Sequence, residues 1–358
     1  TEEKENLLYI TNPDSVYYYK SFFSKISSKF NTINWPDDKS VIKFIIVACL
    51  NKFIIVLLLI ILLFTILFKY DLITSIISKL SFLARYKSFL ILSLFLLVSI
   101  LFRYQSFDKV IHVDEPTYLV MADRMVKGDL LYMDIVDNKA PILFLYYFIP
   151  MFLFNNLTLI RLFGALFIGV TAFIIYLVLE KILNIYINSK IKEKLKYIPI
   201  IGGISYIMVS SFHIWNFWIN PEQIVIFFNS LALLFLLSNK KYSVFLSSLM
   251  LGFTFMTKYP AGIDYVAFAI IWFIIKYKDK EKIEYYLKNI IASIIGFLIP
   301  TALVVLLFTI QGNLKEFIDT FYLVTFKYPS KKTVGTILKT LFLFPKELGI
   351  IFVFFVSG

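Results

Sequence analysis

The chain has 358 residues, of which 59% are hydrophobic, and its mean hydropathy is +0.79. Apolar runs of about 15 to 22 residues recur along it, which excludes an ordinary soluble domain and predicts a helical protein that crosses a membrane several times. The net charge of +12 could point to nucleic acid as a partner, but many lysines concentrate in two short segments between apolar runs, residues 181–196 and 276–288. Such clusters are typical of cytoplasmic loops, so we expect the lipid bilayer as a partner and no nucleic acid.

The chain offers few residues for disulfide or metal chemistry. Cys49 is the only cysteine, which excludes an intrachain disulfide and a thiolate metal site, and His112 and His213 are too few for a histidine-rich zinc site. A divalent metal bound by carboxylates stays an open alternative. Because the chain starts in a polar stretch at Thr1 and closes inside an apolar run at Gly358, we expect it to be a piece of a longer protein.

In chain order, residues 1–40 form a polar segment without a usable motif, and residues 41–358 are predicted to form one helical membrane domain. The apolar run 53–68 is long enough for a tilted span, whereas the run 89–102 reaches spanning length only if residues 86–88 extend it. The basic loop between these runs predicts a cytoplasmic location, which places residues 104–160 outside and leaves the orientation of the N-terminal segment open.

The remaining apolar runs predict about eight to nine spans in total. Residues 141–154 are too short for a span and contain Pro150, so they predict an interfacial helix. The runs that follow are expected to cross alternately inward and outward at 161–179, 197–215, 221–238, 243–257, 261–275 and 289–310, with a return from Pro345. The predicted outer loops are 104–160, 216–220, 258–260 and 311–339. With no repeat of fixed period, we predict a single all-α polytopic domain.

The predicted first outer loop is crowded with carboxylates. Its acidic residues are Asp108, Asp114, Glu115, Asp123, Asp129, Asp134 and Asp137. The pattern predicts a short helix in which Asp114 is the N-cap, Pro116 lies in the first turn and Gly128 follows the C-terminus. One helix face would carry Tyr118 and Met121, which predicts a helix resting on the membrane interface.

The same loop carries an ordered motif: Asp114-Glu115 and, about a dozen residues later, Gly128, Leu130, Tyr132, Asp134, Asp137, Lys139 and Pro141. This motif resembles the first outer loop of the polyprenyl-phosphate-sugar-dependent glycosyltransferases, the C-type (GT-C) superfamily that includes protein O-mannosyltransferases and the lipid A aminoarabinose transferase. The resemblance continues through Arg161 over residues 85–310. One departure is Ala140, where the family usually has a proline.

The resemblance implies an inverting membrane glycosyltransferase that takes a sugar from a polyprenyl-phosphate donor on the outer side of a membrane, with a bacterial plasma membrane expected. It implies that Asp114, with Glu115 beside it, activates or contacts the acceptor, and that Lys139 lies near the donor phosphate, with Asp134 and Asp137 in the same binding loop. The chemistry agrees, because such a displacement needs a carboxylate to take the acceptor proton and cations to hold the departing phosphate. The sugar and the acceptor, whether protein, lipid or polysaccharide, stay open.

A second group of candidate residues follows the predicted span 197–215. Asn220 reads as an N-cap and Pro221 as the first helical residue, so Glu222 lies in the first turn, where the family has an acidic residue. A helix N-terminus also favours a phosphate group, and Lys258 follows the next outward span as a further donor-binding candidate. The structural alternatives are that the acidic residues only cap or complement helices and that the lysines only anchor at the headgroups.

Two competing functions are a transporter or flippase for lipid-linked saccharides and a catalytically inactive scaffold of the same fold. A transporter would place ionisable residues near the membrane midplane between broken helices. Here the acidic residues concentrate in predicted outer loops, which favours the enzyme. The retained Asp114, Glu115, Lys139 and Glu222 argue against the inactive scaffold.

Overall fold

The computed structural model describes residues 86–104, 107, 114–154, 156–212, 219–238, 240–277 and 282–322. The chain divides into two compact units, residues 1–93 and 94–358, and of the first unit only residues 86–93 are described. The predictions for the polar segment 1–40, the run 53–68 and the return from Pro345 therefore lie outside the described residues.

Eleven α-helices and one 3-10 turn are described, and the described residues contain no β-strand, only an isolated bridge between Leu131 and Ile135. The all-α prediction is confirmed for this part of the chain. The helices are α1 Lys87–Arg103, α2 Asp114–Val126, α3 Pro141–Phe154, α4 Leu157–Tyr186, α5 Ser189–Leu195, α6 Ile198–Phe212, α7 Pro221–Leu236, α8 Ser243–Thr257, α9 Ile263–Tyr277, α10 Ile283–Gln311 and α11 Leu314–Tyr322, with the 3-10 turn Tyr259–Gly262 before α9.

Three helical segments are long and apolar enough to cross a membrane: Leu157–Tyr186, Tyr259–Tyr277 and Ile283–Gln311. The last two leave most of their large apolar side chains exposed, including Ile263 and Ile310, which are 73% and 76% exposed. In a lipid bilayer this surface has apolar surroundings. The chain is therefore a membrane protein, whereas the total of eight to nine spans stays a prediction.

Apolar run length locates the helix ends well. The predicted interfacial helix agrees with α3 at both ends, and so does the predicted span 243–257 with α8. Helix α1 starts at Lys87, which is the extension that the run 89–102 needed. Helices α5 and α11 were not predicted, because both are short and rich in charged residues.

Helices α8 and α10 approach closely through two glycines. A Cβ atom on Gly252 would lie 2.4 Å from the carbonyl oxygen of Phe297, and one on Gly296 would lie 2.5 Å from that of Phe245. Between them, the hydroxyl oxygens of Ser248 and Ser293 are 2.7 Å apart. Small residues that let backbones approach, together with hydrogen bonds between helices, are the usual basis of helix packing in membranes.

The connecting segments collect at two ends of this helical unit. At one end, which we call the acidic end, residues 129–140 contact the turn between α10 and α11, where Asn313 donates a hydrogen bond to the carbonyl of Leu131 (2.8 Å). At the other end, Lys181 donates to the hydroxyl of Ser238 (3.0 Å).

Candidate functional site

Helix α2 extends from Asp114 to Val126, and Gly128 stops it for local reasons. Gly128 has φ of +100°, and its N–H donates to Met125 (3.1 Å), while the N–H of Asp129 donates to the carbonyl of Arg124 (3.1 Å). These two bonds form a Schellman motif, which confirms the predicted stop. The side chains of Arg124 and Asp129 also form an ion pair across it.

The apolar face of α2 packs against protein rather than lipid. Tyr118 and Met121 are buried, and the Tyr118 ring contacts the rings of Phe144 and Tyr147 on α3, with centroids 6.3 and 5.4 Å apart. The face of α2 that was expected to meet the membrane interface therefore packs on α3. Asp114 stays exposed at the start of the helix, whereas its neighbour Glu115 points into the core.

Glu115 forms a buried, two-point ion pair with Arg161 of α4. Nε of Arg161 donates to Oε1 of Glu115 (3.1 Å) and Nη2 donates to Oε2 (2.5 Å). The two side chains are 2% and 3% exposed. A carboxylate held at both oxygens by a guanidinium in a dry site is well suited to fixing α2 on α4, and thereby to placing Asp114.

A small cavity adjoins this pair, with Arg103, Tyr146 and Gly164 in its wall. Arg103 is buried and donates to the carbonyl of Ser210 (2.9 Å). The hydroxyl of Tyr146 is buried and has no hydrogen-bond partner among the residues that the structure describes. The sequence reading missed Arg103 and Tyr146, although an arginine at the end of an apolar run is a signal for a buried polar site.

The segment 129–140 carries three of the predicted binding residues. Asp134 is exposed and accepts the N–H of Leu130 (2.8 Å), and Asp137 accepts the N–H of Lys139 (2.9 Å). Both acidic residues thus support the turns of the segment itself. Lys139 is half-buried and lies immediately before α3.

Asp137 has an electrostatically unusual position. Burial raises the pKa of its carboxyl, while the hydrogen bond from the Lys139 N–H and the charge of Lys139 oppose that shift. The charge of Asp114 raises the pKa of Asp137 further, so these two predicted residues act on each other. Raised carboxyl pKa values are frequent at functional sites.

Helix α7 begins as the sequence predicted, with Asn220 as N-cap and Pro221 at the first position. The sequence analysis did not predict a role for Gln223. Its side chain accepts the N–H of Asn220 (2.9 Å), which is one of the two hydrogen bonds of a capping box. Glu222 forms an ion pair with Lys258 (2.5 Å), in which the two side chains are 58% and 42% exposed. The structure thus joins two predicted binding residues from different segments.

Tyr118 shows that the predicted acidic residues converge. Burial raises the pKa of its hydroxyl above the ordinary value, and the charges of Asp114, Asp137 and Glu222 raise it further. Charges from α2, the 129–140 segment and α7 therefore act on one phenol, while Lys139 acts on Asp137 and Lys258 pairs with Glu222. Glu115 and Asp134 do not share these interactions, because Glu115 pairs with Arg161 and Asp134 supports its own turn.

His112 and His213 lie outside the described residues. Within the part of the chain that is described, no three Asp, Glu, His or Cys side chains come together in a way that could hold a metal ion. A divalent metal at the acidic end stays an open alternative.

Comparison of the sequence and structure with protein-family models, curated proteins and solved structures gives no match. The resemblance to glycosyltransferases therefore rests on the sequence motif from Asp114 to Pro141. A glycosyltransferase activity is accordingly a proposal, which the arrangement of these side chains supports.

Proposed function

We propose that this protein is a membrane glycosyltransferase that moves a sugar from a polyprenyl-phosphate carrier to an acceptor at the acidic end, with inversion at the anomeric carbon. The observation that carries the proposal is that the charges of Asp114, Asp137 and Glu222 all act on Tyr118, while Lys139 acts on Asp137 and Lys258 pairs with Glu222. Glycosyl transfer from a lipid phosphate needs a carboxylate near the acceptor and cations near the phosphate, and this cluster supplies both.

Asp114 is the best base in the cluster. It is exposed, whereas Glu115 is buried and bound at both oxygens by Arg161. In the proposed step, the acceptor hydroxyl loses its proton to Asp114 as its oxygen forms a bond to the anomeric carbon. The bond from that carbon to the phosphate oxygen breaks, and the lipid phosphate leaves with the electron pair. A single displacement of this kind inverts the configuration and needs no protein nucleophile.

Lys139 is assigned to the departing phosphate, with the positive dipole end of α7 as a second favourable charge. Glu222 near that helix start would repel a phosphate, but its ion pair with Lys258 offsets this charge. Lys258 can therefore neutralise Glu222 or, when a donor is bound, turn to the phosphate. The Glu115–Arg161 pair holds α2 and so keeps Asp114 in place.

The test of the proposal is transfer of labelled sugar. Membranes that contain the protein are incubated with a panel of radiolabelled polyprenyl-phosphate sugars, with and without a chelator, and loss of label from the lipid is measured. Asp114→Asn should abolish transfer without altering folding, because asparagine tolerates the helix start but cannot take the proton. Asp319→Asn, which changes an exposed acidic residue of α11, is the matched control and should be active. Unchanged turnover in Asp114→Asn would exclude Asp114 as the base.

The proposal also assigns the acidic end to the extracytoplasmic side, in a bacterial plasma membrane. Ser106→Cys and Ser189→Cys, each made in a Cys49→Ser background, are probed with a membrane-impermeant thiol reagent on intact cells. We expect labelling at position 106 and none at 189. The reverse pattern would put the site on the cytoplasmic side.

A transporter of lipid-linked saccharides is the second candidate, and one observation favours it. Asp264 lies inside the candidate span Tyr259–Tyr277, where Asn229 of α7 donates to its carboxylate (2.7 Å) and accepts from Thr254 of α8 (3.0 Å). Ionisable groups within spans often mark substrate pathways. The same label assay separates the two functions, because a transporter moves the intact lipid-linked sugar across the membrane and leaves the label on the lipid.

A further inference from the structure

Tyr132 adopts a backbone conformation that bulky residues rarely have. Its φ of +69° lies in the left-handed region, and it is the only residue other than glycine with a positive φ in the described part of the chain. A Cβ atom crowds the backbone in this region, so the surrounding structure must hold the residue there. Backbone outliers of this kind cluster at functional sites, so this conformation points to a role for Tyr132 in the neighbouring candidate site.

Several contacts from distant segments hold Tyr132. Its N–H donates to the carbonyl of Ile135 (2.7 Å). Its ring is buried against the rings of Phe308 and Phe317, with centroids 5.5 and 5.8 Å away. The carbonyl of the preceding residue accepts from Asn313, which is fully buried. The ends of α10 and α11 thus fix a residue that lies more than a hundred positions earlier in the chain.

The hydroxyl of Tyr132 reaches the candidate donor site. It donates to the backbone carbonyl of Lys139 (2.7 Å). The N–H of Lys139 is held by Asp137 (2.9 Å). Side chains therefore hold both polar backbone groups of Lys139. Fixing these two groups fixes the direction of its Cα–Cβ bond and so the region that its ammonium group can reach.

We propose that Tyr132 is a positioning residue that directs Lys139 at the phosphate of the donor, and that the turn between α10 and α11 is part of the donor site because it holds Tyr132. This inference rests on the proposed function and deepens it. A cation that is already oriented loses less conformational freedom on binding a phosphate than a free lysine does.

Tyr132→Phe tests the inference, because it keeps the buried ring and removes only the hydroxyl. The matched control is Tyr286→Phe. The hydroxyl of Tyr286 also donates to a lysine carbonyl, that of Lys276 (3.0 Å), but this contact joins α10 to α9. Both proteins are purified in detergent. Hydrogen–deuterium exchange is followed in peptides that cover residues 129–140, and a polyprenyl phosphate is titrated by calorimetry.

We expect faster exchange in residues 129–140 and about tenfold weaker polyprenyl-phosphate binding in Tyr132→Phe, and neither change in the control. The apparent KM for the donor should rise more than kcat falls, since the chemical groups are intact. In a Lys139→Ala background, Tyr132→Phe should weaken binding no further, because the two residues act through one contact.

Two results would overturn the inference, and they differ from each other. A wild-type protein that binds no polyprenyl phosphate overturns the proposed function and with it the role of Tyr132. Normal wild-type binding, with unchanged exchange in Tyr132→Phe or an undiminished effect in the Lys139→Ala background, overturns the role of Tyr132 alone. If Tyr132→Phe also lowers thermal stability, the Lys139→Ala comparison still decides, because a general loss of structure would act in both backgrounds.

Discussion

The ion pair between Glu115 and Arg161 should contribute strongly to the stability of the acidic end. Both side chains are almost fully buried, and two N–H···O contacts of 3.1 and 2.5 Å join them. Arg161→Met keeps an extended side chain of moderate volume but removes the charge, so it leaves the carboxylate of Glu115 in a dry site without this partner.

The expected magnitude follows from burial and from the neighbouring charge. Removing one member of a buried ion pair typically costs about 3–5 kcal/mol, because the remaining charge is desolvated without compensation. The guanidinium of Arg103 lines the same cavity and compensates in part, so we place the loss for Arg161→Met near the lower end, at about 3 kcal/mol. At about 2–4 °C per kcal/mol for a chain of this order of size, the melting temperature should fall by about 6–12 °C.

The assay is thermal unfolding in detergent, followed by size-exclusion chromatography of the heated samples. Lys196→Met is the control, since it breaks an exposed pair with Glu193 and should leave the melting temperature unchanged. Arg161→Met combined with Glu115→Met should recover part of the loss, because the carboxylate that lacked its partner is gone, whereas the buried Arg103 loses Glu115 as a neighbouring charge. A single Arg161→Met variant as stable as the control, or a double variant less stable than the single one, would refute the assignment of this pair as a structural support.

Three further predictions use the same thermal assay. Burial raises the pKa of Asp137 from 3.8, although Lys139 opposes the shift, so the ionised carboxylate destabilises the fold. Stability is therefore lost as the pH rises from the unfolded-state pKa through the raised folded-state pKa. Asp137→Asn should flatten this pH dependence and raise the melting temperature at neutral pH. Tyr146→Phe should also raise the melting temperature, since it removes a buried hydroxyl without a partner among the described residues, and a fall would reveal a bound partner such as an ordered water. Gly252→Ala should lower it, because the new methyl group meets a backbone oxygen at 2.4 Å, whereas Gly202→Ala meets only the end of a leucine side chain and should be tolerated better.

Local features of the sequence were enough to predict most of the helices. The predicted ends of α3 and α8 agree with the structure because a proline or a polar residue flanks each apolar run. Gly128 and Asn220-Pro221 were interpreted correctly for a similar reason, since stops and caps depend on the backbone preferences of a few adjacent residues. The short charged helix α11 was missed because no apolar run marks it.

The partners of the site residues were decided by the tertiary structure. The sequence placed Glu115 beside Asp114 as a second catalytic residue, but helix packing turns its side chain toward Arg161, which is 46 positions away. It treated Glu222 and Lys258 as separate candidates, which the packing of α7 beside α8 joins across 36 positions. The sequence showed Tyr132 only as one residue of the motif, whereas the tertiary structure shows that Asn313 and the ends of α10 and α11 hold it.

The physical reason is the range over which each effect acts. Hydrophobic run length, proline and glycine act on the few residues around them, so the sequence by itself determined the helices, their ends and the grouping of acidic residues in connecting segments. A helix periodicity shows which residues share a face but not which helix that face meets. Which carboxylate is buried in an ion pair and which is left exposed to act on a substrate therefore depends on the packing of helices far apart in the chain, and only the tertiary structure decided it.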